Sequence, residues 1–123
     1  MQRDMDLARQ LLFRVEEHPE AWYPVKKEFT GLDADRVRAH TVWLCEAGLL
    51  CSDAHPEMLL MGYGSGERVR LTWAGCEFLD AARNETLWKR AKSTVTTVTG
   101  GLAFDLLKLC LMHEATRLLR IDS

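Results

Sequence analysis

Two short stretches of the 123-residue chain carry side chains suited to contact with double-stranded DNA. Arginine binds phosphate as a charge, and it can pair bidentately with the edge of guanine in the major groove. A helix would present the first stretch and a strand the second. The candidate DNA-contacting residues are Arg36, Arg38, His40 and Thr41 in the first stretch, and Arg68 and Arg70 in the second.

The charges of the chain give evidence both for and against an anionic partner. The formal net charge is −2, and Asp33 and Asp35 would repel phosphate beside the first stretch. Residues 4–35 carry four basic and eight acidic side chains, whereas residues 67–92 carry six basic and four acidic ones. An anionic partner is therefore expected on the side that presents the second segment. The alternative interpretation is a solvated helix face and an edge strand whose charges discourage strand association.

Metal binding and catalysis find little support in the sequence. Cys45, Cys51 and His55 are close together, but zinc needs a fourth ligand and usually a tighter cysteine pair. The four cysteines stand singly among apolar neighbours, which predicts small buried side chains in a reducing compartment. No acid or nucleophile can be named as a partner for His40, so a core or boundary histidine with local hydrogen bonds is favoured over a metal ligand or a catalytic base. We expect no metal, no cofactor and no enzymatic activity.

The helix that would carry the first arginines has signals at both ends. Asp33 is a good N-cap, and Gly48 allows a Schellman turn in which Leu49 folds back on Leu44. These signals predict a helix over 33–47, with Arg36, Arg38 and Trp43 near its outer face. The inner face would consist of Val37, His40 or Thr41, and Leu44.

Short β-like runs surround this helix. An alternation through Val25, Lys27 and Phe29 predicts a short edge strand within 21–32. Later runs lie at 49–52, 58–63 and 68–72, and the glycines at 62–66 predict a hairpin turn before the last of them. In that last run, Val69 and Leu71 would face the core while the arginines face outward.

The remaining segments predict helices. Asp4 or Asp6 caps the first helix, which ends at His18, Thr72 caps a third, and Asn84 caps a fourth that carries Trp88, Ala91, Val95 and Val98. The β-branched run 94–99 predicts that the fourth helix frays or ends there. A last helix over 102–121 is apolar around more than half its circumference, which favours a homodimer through it over packing within one chain.

The sequence also gives expectations for the cellular location of the protein and for the role of its aromatic residues. The N-terminal residues lack an apolar signal segment, and the apolar run 102–112 is too short to span a bilayer. We therefore expect a cytoplasmic protein without a membrane partner. The tryptophans are not interleaved with basic residues, so core or boundary packing is favoured over stacking on single-stranded nucleic acid.

Three motifs resemble a known family. They are RDMDLxR at 3–9, HxxxLxEAGLL at 40–50 and RLTWxGxxFLDA at 70–81. Together with the Gly-Gly pair before the last helix, they are similar to the motifs of uncharacterised phage and prophage proteins, the domain of unknown function number twenty-five thirteen. The resemblance implies a winged-helix-like fold and a mobile-element setting, and it supplies no catalytic residues.

The sequence as a whole predicts an α+β protein. A winged-helix-like domain over 1–83 would contain a helix, a short strand, a capped helix, a β-hairpin wing and a helix, followed by a helical C-terminal extension over 84–123. The leading hypothesis is a phage- or prophage-encoded DNA-binding regulator whose 33–47 helix enters the major groove. The competing hypothesis is a protein-interaction module that binds a host or defence protein through Trp43 and the C-terminal helix.

Overall fold

The chain folds into five helices and three strands over the residues that a computed structural model describes, which are 1–24, 32–53, 68–101 and 103–122. The elements are α1 (Met5–Glu17), β1 (Tyr23–Pro24), α2 (Ala34–Glu46), β2 (Leu50–Ser52), β3 (Arg68–Leu71), α3 (Trp73–Ala82), α4 (Glu85–Thr99) and α5 (Phe104–Asp122). The predicted α+β class is confirmed. The described elements belong to two compact units, Met1–Cys76 and Glu77–Ser123. The predicted division at 83/84 stays a prediction.

The first unit is built on the helix pair α1 and α2. Asp4 caps α1, since its Oδ1 accepts the backbone N–H groups of Asp6 and Leu7 at 3.0 and 3.1 Å. One face of α1 is buried at helical spacing, and the helix packs against α2 and β3. The buried residues of α1 are Met5, Leu7, Ala8, Leu11, Leu12 and Val15.

The end of α2 has the predicted Schellman geometry. Gly48 adopts a left-handed φ of 79°, which a residue with a Cβ adopts only with strain. The backbone N–H of Leu49 donates to Leu44 at 3.0 Å, and that of Gly48 donates to Cys45 at 3.0 Å. This turn brings the chain directly from α2 into β2, with Leu49 and Leu50 both buried.

The three described strands form an antiparallel sheet in the order β1-β3-β2. Tyr23 lies opposite Val69, and Leu50 lies opposite Leu71. The two-residue strand with Pro24 is at an edge, as predicted. The alternative view of Arg68–Leu71 as an edge strand is wrong, because β3 is hydrogen-bonded on both sides. The predicted run 58–63, the hairpin turn at 62–66 and the alternation at 25–29 lie outside the described residues.

α3 starts where β3 ends. The hydroxyl of Thr72 accepts the backbone N–H of Gly75 at 3.0 Å, which confirms Thr72 as the cap, and it also donates to the Gly48 carbonyl oxygen. Gly75 is buried against Leu49, and a Cβ on Gly75 would overlap the carbonyl oxygen of Leu49. The close approach of α3 to the end of α2 therefore requires glycine.

The second unit consists of the end of α3 together with α4 and α5. Asn84 caps α4 through a bond from the backbone N–H of Leu87 at 3.0 Å. Phe78 packs edge-on against Trp88, with ring centroids 6.2 Å apart, and also contacts Phe104. No helix among the described residues combines the length and the apolarity needed to cross a membrane.

α4 differs from its prediction. The helix continues through the β-branched run and ends after Thr99, where Gly100 takes a left-handed φ of 74°. The hydroxyl of Thr94 donates to the Arg90 carbonyl oxygen and that of Thr97 to the Ser93 carbonyl oxygen, so both hydroxyls are satisfied within the helix. Val98, one of the apolar residues predicted on this helix, is 77% exposed.

Replacement of Gly75 tests the contact between α3 and the α2 turn. Gly75→Ala should lower the free energy of unfolding by about 1–3 kcal/mol, because the added methyl overpacks the contact with Leu49. Gly101→Ala is the matched control, since a Cβ there meets nothing within 4 Å. Urea titration followed by circular dichroism measures both. Equal midpoints for the two variants would contradict the packing described.

Candidate nucleic-acid interface

Arg68 and Arg70 lie together on the outer face of the sheet. Val69 between them is 1% exposed and faces the core, so strand alternation directs both arginines away from the core. Both are exposed. Residues two apart on one face of a strand are about 7 Å apart, so their guanidinium groups can contact neighbouring phosphates. The predicted alternation in this strand is therefore confirmed.

An aromatic ring and a carboxylate border these two arginines. The guanidinium carbon of Arg70 lies 5.7 Å from the centroid of the Trp22 ring, and its Nη1 donates to the Leu71 carbonyl at 3.3 Å. A cation over an indole ring is held in place without losing its charge. On the other side, the backbone N–H of Asp53 donates to the Arg68 carbonyl at 3.0 Å, so an exposed carboxylate neighbours Arg68.

Arg36 is engaged within the chain. Its Nη2 donates to Asp4 Oδ2 at 2.9 Å, and both side chains are a little under half exposed. The carboxylate that caps α1 thus also pairs with α2. An exposed pair of this kind stabilises little, but it neutralises the charge that Arg36 would bring to a phosphate.

His40 and Thr41 are buried, which corrects their assignment to the DNA-contacting set. His40 is 2% exposed, and its Nε2 accepts the backbone N–H of Asp4 at 2.8 Å. Its Nδ1 lies 2.7 Å from the Arg36 carbonyl and therefore carries the proton of the neutral ring. Thr41 donates to the Val37 carbonyl at 2.7 Å. Both polar side chains are satisfied inside the first unit, as expected for buried groups.

Arg38 completes the set on the exposed side of α2. The first turn of the same helix is acidic, with Asp33 as the N-cap and Asp35 exposed beside it. The two carboxylates at this helix N-terminus repel phosphate, even though the N-terminal end of a helix dipole is positive. Since Arg36 is paired with Asp4, the cations of the predicted set that remain for phosphate contact are Arg38, Arg68 and Arg70.

The cysteines differ in their surroundings. Burial raises the pKa of the Cys45 thiol to about 11, with smaller contributions from Cys51 and Glu46. Cys76 is exposed, contrary to the prediction that the cysteines are buried. Among the described residues no group of three or more His, Cys, Asp and Glu side chains is arranged to hold a metal ion. His55 lies outside those residues.

Comparison with known proteins assigns the chain to a family. The sequence profile described as "Hypothetical protein (DUF2513)" matches residues 2–102. The chain belongs to the DUF2513 family. This DUF2513 chain is 33% identical over 109 residues to an uncharacterized protein of Haemophilus influenzae, with 88% of the chain and 90% of that protein aligned. No solved structure matches the DUF2513 chain.

Two features of the first unit were not predicted from the sequence. The pairing of Arg36 with Asp4 joins residues 32 positions apart, and no local pattern reports it. The exposure of Trp73, at 83%, contradicts the expected core or boundary packing.

Replacement of His40 tests its role as an internal hydrogen-bonding residue. His40→Leu should lower the free energy of unfolding by about 1–3 kcal/mol, because it leaves the Asp4 N–H without its acceptor. Arg38→Leu on the exposed side of the same helix is the control and should change stability by less than about 0.5 kcal/mol. Chemical denaturation monitored by tryptophan fluorescence measures both. An unchanged free energy of unfolding in His40→Leu would contradict the role of His40 as a buried hydrogen-bond acceptor.

Thiol alkylation tests the raised pKa of Cys45. At pH 8 the Cys45 thiol stays protonated, so iodoacetamide should modify it at least about tenfold more slowly than exposed Cys76. The rate at Cys45 should rise as the pH approaches 11. Peptide mapping by mass spectrometry gives both rates in one sample. Equal modification rates at pH 8 would show that the Cys45 thiol is accessible and that its pKa is not raised.

Proposed function

We propose that this protein is a DNA-binding regulator with a winged-helix-like first unit, encoded by a phage or prophage, in which Arg38, Arg68 and Arg70 contact the phosphate backbone of duplex DNA. The observation that carries the proposal is the outward pair Arg68 and Arg70 on the central strand, with buried Val69 between them. The order helix, strand, helix, then two paired strands and a helix is compatible with a winged-helix-like arrangement.

The proposed contacts favour backbone binding over base reading. Phosphate contacts set the position of a protein on the duplex, whereas base contacts in the groove specify sequence. Of the residues on α2 that were assigned to groove contact, His40 and Thr41 are internal and Arg36 is paired with Asp4. The acidic first turn of α2 opposes insertion of that end into the major groove. We therefore expect the first unit to bind duplex DNA with little dependence on base sequence.

Arg70 is the residue best prepared for this role. Its packing on Trp22 restricts the guanidinium before any ligand arrives, so less side-chain entropy is lost on contact with a phosphate. Asp53 beside Arg68 lowers the local positive potential, which makes Arg68 the weaker of the two contacts. The net charge of −2 limits long-range attraction and places most of the affinity in these few cations.

A second candidate function is a protein-interaction module for a host or defence protein. The observation that favours it is Trp73, a large aromatic side chain that is 83% exposed in the first unit. Tryptophan is enriched among the residues that dominate binding energy in protein interfaces. Trp43, assigned to this role from the sequence, is half-buried and packs edge-on against the His40 ring.

The test is fluorescence anisotropy with a labelled random-sequence duplex at several salt concentrations. The affinity should fall steeply with salt, and Arg68→Ala/Arg70→Ala should lower the slope of log affinity against log salt by about 2. Arg38→Ala should lower it by about 1, whereas Arg36→Ala should change it less because that charge is already paired.

Lys89→Ala is the matched control, because Lys89 is an exposed cation on α4. It should leave both the affinity and the salt slope unchanged. Equal losses in Lys89→Ala and the Arg68/Arg70 variant would mean that attraction is diffuse and not located on the sheet. Absence of binding at the lowest salt would exclude the DNA proposal and leave the protein-interaction module as the better candidate.

A further inference from the structure

The outer face of the sheet carries an indole ring as well as the two arginines. Tyr23 of β1 lies opposite Val69 of β3, and both side chains are buried. Strand alternation therefore places the neighbours of Tyr23 on the same outer face as the neighbours of Val69. Trp22 is one of these neighbours and is half-buried, and the guanidinium carbon of exposed Arg70 lies over its ring, 5.7 Å from the centroid.

The ring and the charges follow one another across the sheet. Trp22 lies on the β1 side, the two arginines lie on central β3, and Asp53 lies on the β2 side, where its backbone N–H donates to the Arg68 carbonyl. A ligand that contacts the indole and the arginines together therefore lies on the side away from this carboxylate. Adjacent strands are about 4.8 Å apart, so such a ligand must carry a flat ring close to an anionic group.

A nucleotide with an unpaired base combines these two groups. The faces of bases stack on aromatic side chains and on guanidinium planes, and every base has such a face. Inside a duplex both faces are covered by neighbouring base pairs, so only an unpaired base can stack on a protein side chain. Arg68 and Arg70, about 7 Å apart along β3, suit the successive phosphates of a strand better than one free nucleotide.

We propose that Trp22 and Arg70 form a stacking site for an unpaired base of single-stranded DNA, with Arg68 binding a neighbouring phosphate of the same strand. This inference rests on the proposed role of Arg68 and Arg70 as DNA contacts. The sheet binds the backbone of either form of DNA and gains the stacking contact only from an unpaired base. Because the guanidinium is already placed against the indole, the two planar groups are positioned before the base arrives.

Another arginine–aromatic pair in the first unit provides an internal comparison. On α1, the guanidinium carbon of Arg9 lies 4.9 Å from the centroid of the Phe13 ring. The same face of α1 carries Arg14 but also Asp6 and Glu17, so its two cations are balanced by two carboxylates. This face has the same pairing of ring and guanidinium without a net positive charge, and a phosphate chain is therefore not attracted to it.

Fluorescence anisotropy with two labelled single strands tests the stacking contact. One strand is an oligothymidylate, and the other is an abasic strand of the same length, so the phosphates are matched and only the bases differ. The wild-type protein should bind the oligothymidylate at least about tenfold more tightly than the abasic strand. Thymidine monophosphate should compete weakly, because it offers a single phosphate.

Variants of Trp22 locate the base contact. Trp22→Leu should remove the preference for the oligothymidylate and leave the affinities for the abasic strand and for a duplex unchanged. Trp22→Phe should keep most of the preference, because a ring remains for stacking. Phe13→Leu is the matched control and should bind both strands as the wild type does. Circular dichroism checks that each variant is folded.

The outcomes separate this inference from the proposed duplex binding. Equal affinity of the wild-type protein for the two strands, a preference that survives in folded Trp22→Leu, or strong competition by thymidine monophosphate would each overturn the stacking site. Duplex binding that persists in those cases leaves the proposed function in place. A preference for the oligothymidylate without duplex binding would support the stacking site and overturn the duplex proposal. Absence of binding to every form of DNA would overturn both.

Discussion

Asp4 links the first two helices of this protein, and the arrangement of the first unit depends on it. One carboxylate oxygen caps α1, the other pairs with Arg36, and the backbone N–H donates to buried His40. Water cannot replace this last bond, because His40 is only 2% exposed. Because α1 also packs against β3, α1 contacts both α2 and the sheet and holds them together. The placement of α2, which carries Arg38, and of β3, which carries Arg68 and Arg70, therefore depends on a polar contact as well as on apolar packing.

The arginines of the first unit differ in the contacts they make. Arg36 belongs to the helix pair, Arg70 is held against Trp22, and Arg38 and Arg68 are exposed. A surface of this kind is better suited to contacts with a charged backbone than to recognition of bases, which requires several side chains aimed into one groove. Any sequence preference of the proposed DNA contacts would then not come from α2 itself.

The second unit shows how local preference and tertiary packing compete. The β-branched run in α4 has low helix propensity, yet the helix continues through it because burial of Val95 outweighs that preference. α5 has the opposite problem, since its apolar residues exceed what α4 covers. The excess, which includes Leu109 and Leu119, is exposed to water.

The sequence alone determined the features that depend on neighbours along the chain. Asp4, Asp33, Thr72 and Asn84 cap helices as predicted, and Gly48 ends α2, because caps and turns are made within a few residues. Strand alternation likewise placed Val69 inward and its flanking arginines outward. Only the tertiary structure decided that His40 is an internal acceptor, that Arg36 is paired with Asp4 and that β3 is central. Those outcomes depend on residues more than 30 positions apart or on separate strands, and helical periodicity alone leaves a boundary residue such as His40 equally able to face inward or outward.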